Sequence, residues 1–197
     1  MPDMIAETQH GYLALADISG FTAFMAGTEL EHSHEILAEL LELIISRLTP
    51  VLTLASLEGD AVLAFAPESK LPRGETLLEL VETTYAAFRD QQEAIRRRTT
   101  CTCQACRAVP SLDLKFTVHH GDYIAQSVAT GYELGGLDAI LVRERQLKDA
   151  VSATMGWRGY ALFTEEALGH MGLRPAGWHE QTGRYEHVGE VQTHTLN

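Results

Sequence analysis

The sequence predicts an α+β fold in which helices pack on one face of a mainly antiparallel sheet. Three observations carry that expectation. Apolar runs of strand length occur in adjacent pairs joined by short turn signals, as hairpins do. Two long stretches repeat apolar residues every three or four positions, as half-buried helices do. Strands and helices alternate along a chain with no internal repeat and no low-complexity segment.

Tyr12 to Ile18 is short, apolar and stopped by Ser19-Gly20, the pattern of a buried strand. From His32 to Leu48, residues Ile36, Leu37, Leu40, Leu41, Ile44, Ile45 and Leu48 define one buried helix face that ends before Pro50. Val51 to Leu57 and Ala61 to Phe65 read as strands joined at Glu58-Gly59-Asp60. A polar loop from Pro67 to Gly74 precedes a second long helix from Glu75 to about Arg98, built on Leu77, Leu78, Val81, Tyr85, Phe88 and Ile95. Leu112 to His119 and Tyr123 to Val128 read as a further hairpin turning at His120-Gly121-Asp122. Gly135-Gly136 breaks the chain before a helix from about Asp138 to Val151. Gly159 to Phe163 is a short strand, and Thr164 caps a helix with Glu165 and Glu166 in its first turn. Arg184 to Leu196 supplies one or two edge strands.

The 197 residues suffice for one domain with a substantial core, and the 45% apolar and 7% aromatic content is that of a globular protein. No apolar run reaches bilayer-spanning length and Met1-Pro2-Asp3-Met4 does not open a signal peptide, so the cytoplasm is the expected setting, with no membrane partner. A net charge of −12 disfavours nucleic acid as a partner, because phosphate-backbone binding needs a basic stripe. The one basic run, Arg96-Arg97-Arg98, ends a helix whose dipole it offsets.

Two aspartates stand out. Asp17 closes the first strand and is followed by Ile18-Ser19-Gly20-Phe21-Thr22; Asp60 lies in the Glu58-Gly59-Asp60 turn. Paired carboxylates from neighbouring strands suit a divalent metal that takes a few protein oxygens and leaves the rest to water and phosphate. Read one at a time, Asp17 is a helix-capping aspartate and Asp60 a turn residue. The pair, with Ser19-Gly20 opening a helix whose first N–H groups are free, makes an anion-and-metal site the sharper reading.

The segment Leu15-Ala16-Asp17-Ile18-Ser19-Gly20-Phe21-Thr22 resembles the opening motif of class III adenylate and guanylate cyclases. Gly59-Asp60-Ala61 resembles that family's second metal aspartate, and Leu114 to Gln126, with His119-His120-Gly121, its next strand pair. A narrower likeness is to bacterial cyclase-like proteins that share the Thr28 to His34 segment, Glu58-Gly59-Asp60 and a Cys-x-Cys-x-x-Cys insert. The resemblance implies a ferredoxin-like cyclase domain over residues 1–197, with its core at about 12–170 and the cysteine insert at about 99–110. It also implies a homodimer that binds a nucleoside triphosphate, ATP or GTP, with Mg²⁺ or Mn²⁺ on Asp17 and Asp60. Backbone from Ile18 through Ser19, Gly20, Phe21 and Thr22 would approach the phosphates, and Arg145 of the partner chain would stabilise the transition state. Arg143 and Lys148 are further candidates for phosphate contact.

The departures from that pattern fall on base and sugar recognition. Ser56 stands where the family has a purine-selecting lysine, and Leu141 where it has a ribose-orienting asparagine; Glu133 or Leu134 stands near the purine-selecting acid. The resemblance therefore admits two readings: a cyclase releasing pyrophosphate, and a silent cyclase-like module that binds and regulates.

All three cysteines, Cys101, Cys103 and Cys106, lie within six residues, which is not a secreted disulfide framework. Three thiolates are zinc ligands in search of a fourth, from His119, His120, His32 or His34; the alternative is a reduced loop without metal. Glu29, Glu31, His32 and His34 otherwise read as a solvated, acidic helix start.

Overall fold

The computed structural model describes residues 7–71, 73–98 and 100–197, with the side chains of Arg145, Gln146 and Lys148 also outside the description. The first strand, β1 (Thr8–Ser19), is central, flanked by β3 (Ala61–Pro67) and β4 (Asp113–Val128). With β2 (Thr53–Glu58), β5 (Gly131–Gly135), β6 (Tyr160–Thr164), β7 (His179–Tyr185) and β8 (Gly189–Leu196) they make one sheet, ordered β2-β3-β1-β4-β6-β8-β7. Every pairing is antiparallel except β4 with β6. The α+β class and the mainly antiparallel sheet are as expected from the sequence.

Alternation along β1 divides the core. Tyr12, Ala14, Ala16 and Ile18 face the cluster formed by the long helices α2 (Leu30–Leu48) and α3 (Glu75–Arg98). Leu13 and Leu15 face the opposite side, where α5 (Leu137–Arg143) covers them with Ala139 and Val142. The expected apolar face of α2 is the buried one, and Leu40 and Ile44 are inaccessible to solvent. Truncating either to alanine should cost about 2–5 kcal/mol. On α3 the buried set includes Gln92, whose Nε2 donates to the carbonyls of Val109 and Leu112 at 2.9 and 3.0 Å. That amide fastens the return from the cysteine segment to the sheet. Among the described residues no helix is long and apolar enough to cross a membrane.

Three expectations need correction. His120-Gly121-Asp122 is not a turn: β4 runs unbroken for 16 residues, and its hairpin partner is β5, beyond Val128. Gly121 is a site of close approach, because a Cβ there would lie 2.2 Å from Asp138 Oδ2. The helix expected from Asp138 to Val151 is two, α5 and α6 (Arg145–Met155), separated by Glu144 with ψ near 118°. The tail forms β8 inside the sheet and β7 at its edge, where the exposed alternate residues blunt edge pairing. The helix expected to open at Ser19-Gly20 is α1 (Phe21–Gly27), whereas the short α4 (Gln104–Ala108) within the cysteine segment was not expected. The last helix, α7 (Glu165–Met171), begins at Thr164, whose hydroxyl accepts from the Ala167 N–H at 3.2 Å.

Candidate functional site

Asp17 sits at the C-terminal end of β1 on the face away from α2 and α3, opposite Ala61 of β3 and Lys115 of β4. Asp60 reaches it from the β2–β3 turn, where Gly59 takes φ +69° and the Asp60 carbonyl accepts from the Ile18 N–H at 3.2 Å. The two carboxyl groups approach closely enough to share a hydrogen bond. Burial first, and then the Asp17 charge, raise the Asp60 pKa, while Lys115 pulls it down. The Lys115 ammonium lies 3.4 Å from Asp17 Oδ2, with both side chains largely buried.

These groups line a cleft of about 420 Å³ with Ile18, Ser19, Gly20, Phe21 and Thr22. Gly20 has φ +85°, and a Cβ there would meet the Ser111 carbonyl at 2.9 Å and the Arg158 guanidinium at 3.1 Å, so glycine is required. No side chain caps α1, and its first intrahelical bond is Phe24 N–H to the Gly20 carbonyl. The preceding amides border the cleft. The structure thus brings together Asp17, Asp60 and residues 18–22. The Arg145 side chain, proposed by resemblance to act at this site, lies outside the described residues, as does that of Lys148.

Arg143 reaches the cleft but is already engaged. Its Nε donates to Glu58 Oε1 at 2.6 Å and its Nη1 to the Ala139 carbonyl at 3.0 Å, so it braces the turn that carries Asp60. Leu141 is buried in a separate apolar cluster with Leu147, Val151 and Tyr160. Leu134 is core and Glu133 exposed, while the Ser56 hydroxyl donates to Glu58 Oε1 at 3.4 Å. Lys115 and Asp149 are cleft residues that the sequence reading did not single out. A lysine inside an otherwise apolar strand was the available signal for Lys115, but its partner depends on the β1–β4 register.

The cysteine segment folds over the start of α2. His32 Nδ1 lies 3.1 Å from Cys103 Sγ and 3.6 Å from Cys101 Sγ. The four potential ligand atoms of His32, Cys101, Cys103 and Cys106 all fall within 4.8 Å of one another. His119 and His120 lie elsewhere, so of the four histidines considered His32 is the one that meets the thiols. Its hydrogen bond, followed by the Cys106 amide, holds the Cys103 thiol down at about 6, and burial pushes Cys106 up to about 12. The acidic start of α2 is more than a solvated face: Glu29 accepts from the Gln104 and Ala105 N–H groups at 3.1 and 3.0 Å and caps α4.

The mainly antiparallel sheet with helices packed on it belongs to a recognisable class, the nucleotide-cyclase fold. The chain superposes on the adenylyl cyclase CyaB from P. aeruginosa with TM-score 0.67 at 15% identity, covering 97% of this chain and 96% of that one. The guanylate cyclase domain of RhGC from Catenaria anguillulae in complex with GTP gives TM-score 0.63 at 14% identity, covering 98% of each chain. A bacterial light-regulated adenylyl cyclase gives TM-score 0.69 at 12% identity; 97% of this chain is covered, but it spans only 52% of that protein. At such identities the likeness is one of fold. No curated protein sequence matches the chain. The chain belongs to the family described as "Protein of unknown function (DUF2652)", whose model matches residues 37–155. That match contains Asp60 and the cysteine segment and begins after Asp17.

Proposed function

We propose that this single cyclase-like domain holds a divalent cation on Asp17 and Asp60 and a nucleoside triphosphate, ATP or GTP, in the adjoining cleft. The observation that carries the reading is the convergence of two carboxyl groups, from separate strands, beside the uncapped start of α1. The donor set fits Mg²⁺ or Mn²⁺, because all its candidate ligands are hard oxygens and the two carboxyls are close enough to share one ion. Such an ion would supply Lewis acidity at phosphate oxygens and lower the barrier to attack by the ribose 3′-hydroxyl. The chain's own residues would do the positioning. Arg143 and Glu58 hold the Asp60 turn, Gly20 lets the backbone at residues 18–22 approach an anion, and Lys115 tempers the charge on Asp17.

We further propose a homodimer, in which Arg145 of one chain serves the cleft of the other. Leu137 and Ile140 of α5, 53% and 52% exposed, are apolar surface that a second copy would cover. A zinc ion on Cys101, Cys103, Cys106 and His32 would act structurally, since it ties the segment between α3 and β4 to α2.

A specific observation favours a second reading, a catalytically silent nucleotide-binding module. Leu141 does not border the cleft but lies in the core, and no base-selecting lysine stands at Ser56. Without a group to orient the ribose, much of the rate gained from positioning is lost. Incubation with each of the four nucleoside triphosphates and Mn²⁺, followed by mass spectrometry, separates the two. Cyclic product supports the cyclase; metal-dependent binding without product supports the module; neither binding nor product rejects the nucleotide site.

A further inference from the structure

At the far end of β1 from Asp17, three histidines and a glutamate gather from four different segments. His10 comes from β1, His120 from β4, His170 from α7, and Glu68 from a single 3₁₀ turn that follows β3. Their potential ligand atoms all lie within 4.8 Å of one another. The cluster is about 23 Å from Asp17, at roughly 3.3 Å per residue along the strand.

Close backbone packing builds the arrangement. A Cβ on Gly11 would lie 2.3 Å from the Ala66 carbonyl and 2.8 Å from the Glu68 nitrogen, so glycine lets the Glu68 turn sit against β1. Likewise, a Cβ on Gly74 would lie 2.1 Å from Met171 Cα, which seats the end of α7 beside the same turn. The consequence is an unusual concentration of imidazole. The rings of His120 and His170 stack with centroids 3.6 Å apart and 11° between planes. His10 meets His120 edge-on at 4.5 Å.

The polar atoms in this cluster are incompletely satisfied. His120 is 3% exposed, and its Nε2 has no hydrogen-bond partner among the described residues. That nitrogen points to Glu68 Oε2 at 3.7 Å, beyond hydrogen-bond reach, while Glu68 Oε1 lies 2.9 Å from His170 Nδ1. A buried imidazole nitrogen left unpaired is destabilising, because it has lost its water without gaining a partner. Outside the cluster, His10 Nδ1 lies 2.5 Å from Asp122 Oδ1, the carboxylate–histidine contact that orients metal-ligating imidazoles and leaves Nε2 for the ion.

We propose that His10, Glu68, His120 and His170 form a metal site for a first-row divalent cation, with zinc the best match. Three imidazoles and one carboxylate are zinc chemistry, whereas Mg²⁺ would not select imidazole. Around a tetrahedral zinc with Zn–N of about 2.0 Å, ligand atoms stand about 3.3 Å apart, so the ligand atoms draw together and the exposed His170 ring turns out of its stack on His120 to aim its in-plane lone pair at the ion. The ion satisfies His120 Nε2 and joins β1, β4, α7 and the Glu68 turn at one point. Its role is therefore a clamp on the end of the sheet remote from the cleft, and it depends on neither the nucleotide reading nor the cysteine segment.

Cobalt(II) in a large excess of Mg²⁺ is a suitable probe of the full chain, because magnesium occupies carboxylate sites and leaves imidazole sites to cobalt. Cobalt on the cysteines gives intense thiolate charge-transfer absorption; cobalt on imidazoles gives d–d bands without it. The wild-type chain should show d–d intensity that survives substitution of all three cysteines by serine. His170→Ala and Glu68→Gln, both at accessible side chains, should weaken that component tenfold or more and leave any thiolate absorption unchanged. Circular dichroism checks that each variant is folded. Cobalt uptake with thiolate absorption only, or equal imidazole-type binding in wild type and His170→Ala, overturns the proposal.

Discussion

The Lys115 ammonium stands 3.4 Å from Asp17 Oδ2, directly across the β1–β4 pair, so the candidate cation site carries a cation of its own. Lys115 and a divalent ion act on the same carboxylate. Replacing it by methionine preserves most of the packing and removes the charge. Lys115→Met should raise Mn²⁺ affinity about tenfold, which corresponds to about 1.4 kcal/mol. In the absence of metal the variant should lose on the order of 2 kcal/mol of stability, because a largely buried carboxylate has lost the cation beside it. Calorimetric titration and thermal unfolding with and without Mn²⁺ measure both quantities. Unchanged Mn²⁺ affinity would falsify the claim that lysine and metal compete.

The raised pKa of Asp60 makes a prediction with a definite sign. An acid whose folded pKa lies above its unfolded value binds more protons in the folded state, so it withdraws stability as pH rises through that range. In metal-free protein this penalty is absent below the ordinary carboxylate pKa and complete above the raised one. Asp60→Asn should therefore raise Tm at pH 7 by up to a few degrees, since 1 kcal/mol moves Tm by about 2–4 °C at this length. The same substitution should abolish Mn²⁺-induced stabilisation. A fall in Tm would show that the Asp60 carboxylate is structurally favourable, contrary to this account.

What was legible in the sequence follows a physical pattern. Asp17 and Asp60 could be read because each follows from local grammar: an apolar strand ending in small residues, and a Gly-Asp turn. The apolar faces of α2 and α3 were legible because a 3.6-residue period is a property of the chain itself. Lys115, His32 and the His120 cluster depend on contacts between residues 50 or more positions apart, which no local pattern encodes. Gly121 misled for a related reason. Glycine signals a turn and a close approach equally well, and the approaching residue, Asp138, arrives from another element.

The cysteine segment should show graded thiol reactivity. The His32 hydrogen bond holds Cys103 at about 6, so this thiol is mostly thiolate at pH 7, whereas Cys106, at about 12, is not. In zinc-free protein, brief treatment with iodoacetamide at pH 7 should label Cys103 well ahead of Cys106, with a rate midpoint near pH 6. His32→Ala should move that midpoint up towards the ordinary thiol value and weaken zinc binding at least tenfold. Mass spectrometry of peptides across a pH series reads the order of labelling. Equal rates at Cys103 and Cys106, or no protection by added zinc, would remove the argument for a Cys₃His site.

Gly121 gives a test of how β4 is held. Asp122 N–H donates to Asp138 Oδ2 at 2.7 Å, and His119 Nε2 lies 3.1 Å from Asp138 Oδ1. The His119 imidazole, together with the Asp122 amide, keeps the Asp138 carboxyl below its ordinary pKa despite burial. Its contribution is present above the unfolded carboxylate pKa and is lost as pH falls through the lower folded value. A methyl group at position 121 would occupy the space of the Asp138 carboxylate, displace α5 and leave the buried His119 without its acid. Gly121→Ala should therefore cost about 2–3 kcal/mol at pH 7, and the difference from wild type should shrink as acid protonates Asp138. Chemical denaturation at pH 7 and at about pH 3 measures the two differences. A loss that is the same at both pH values would mean that crowding of the strand, not the Asp138 carboxylate, sets the requirement for glycine.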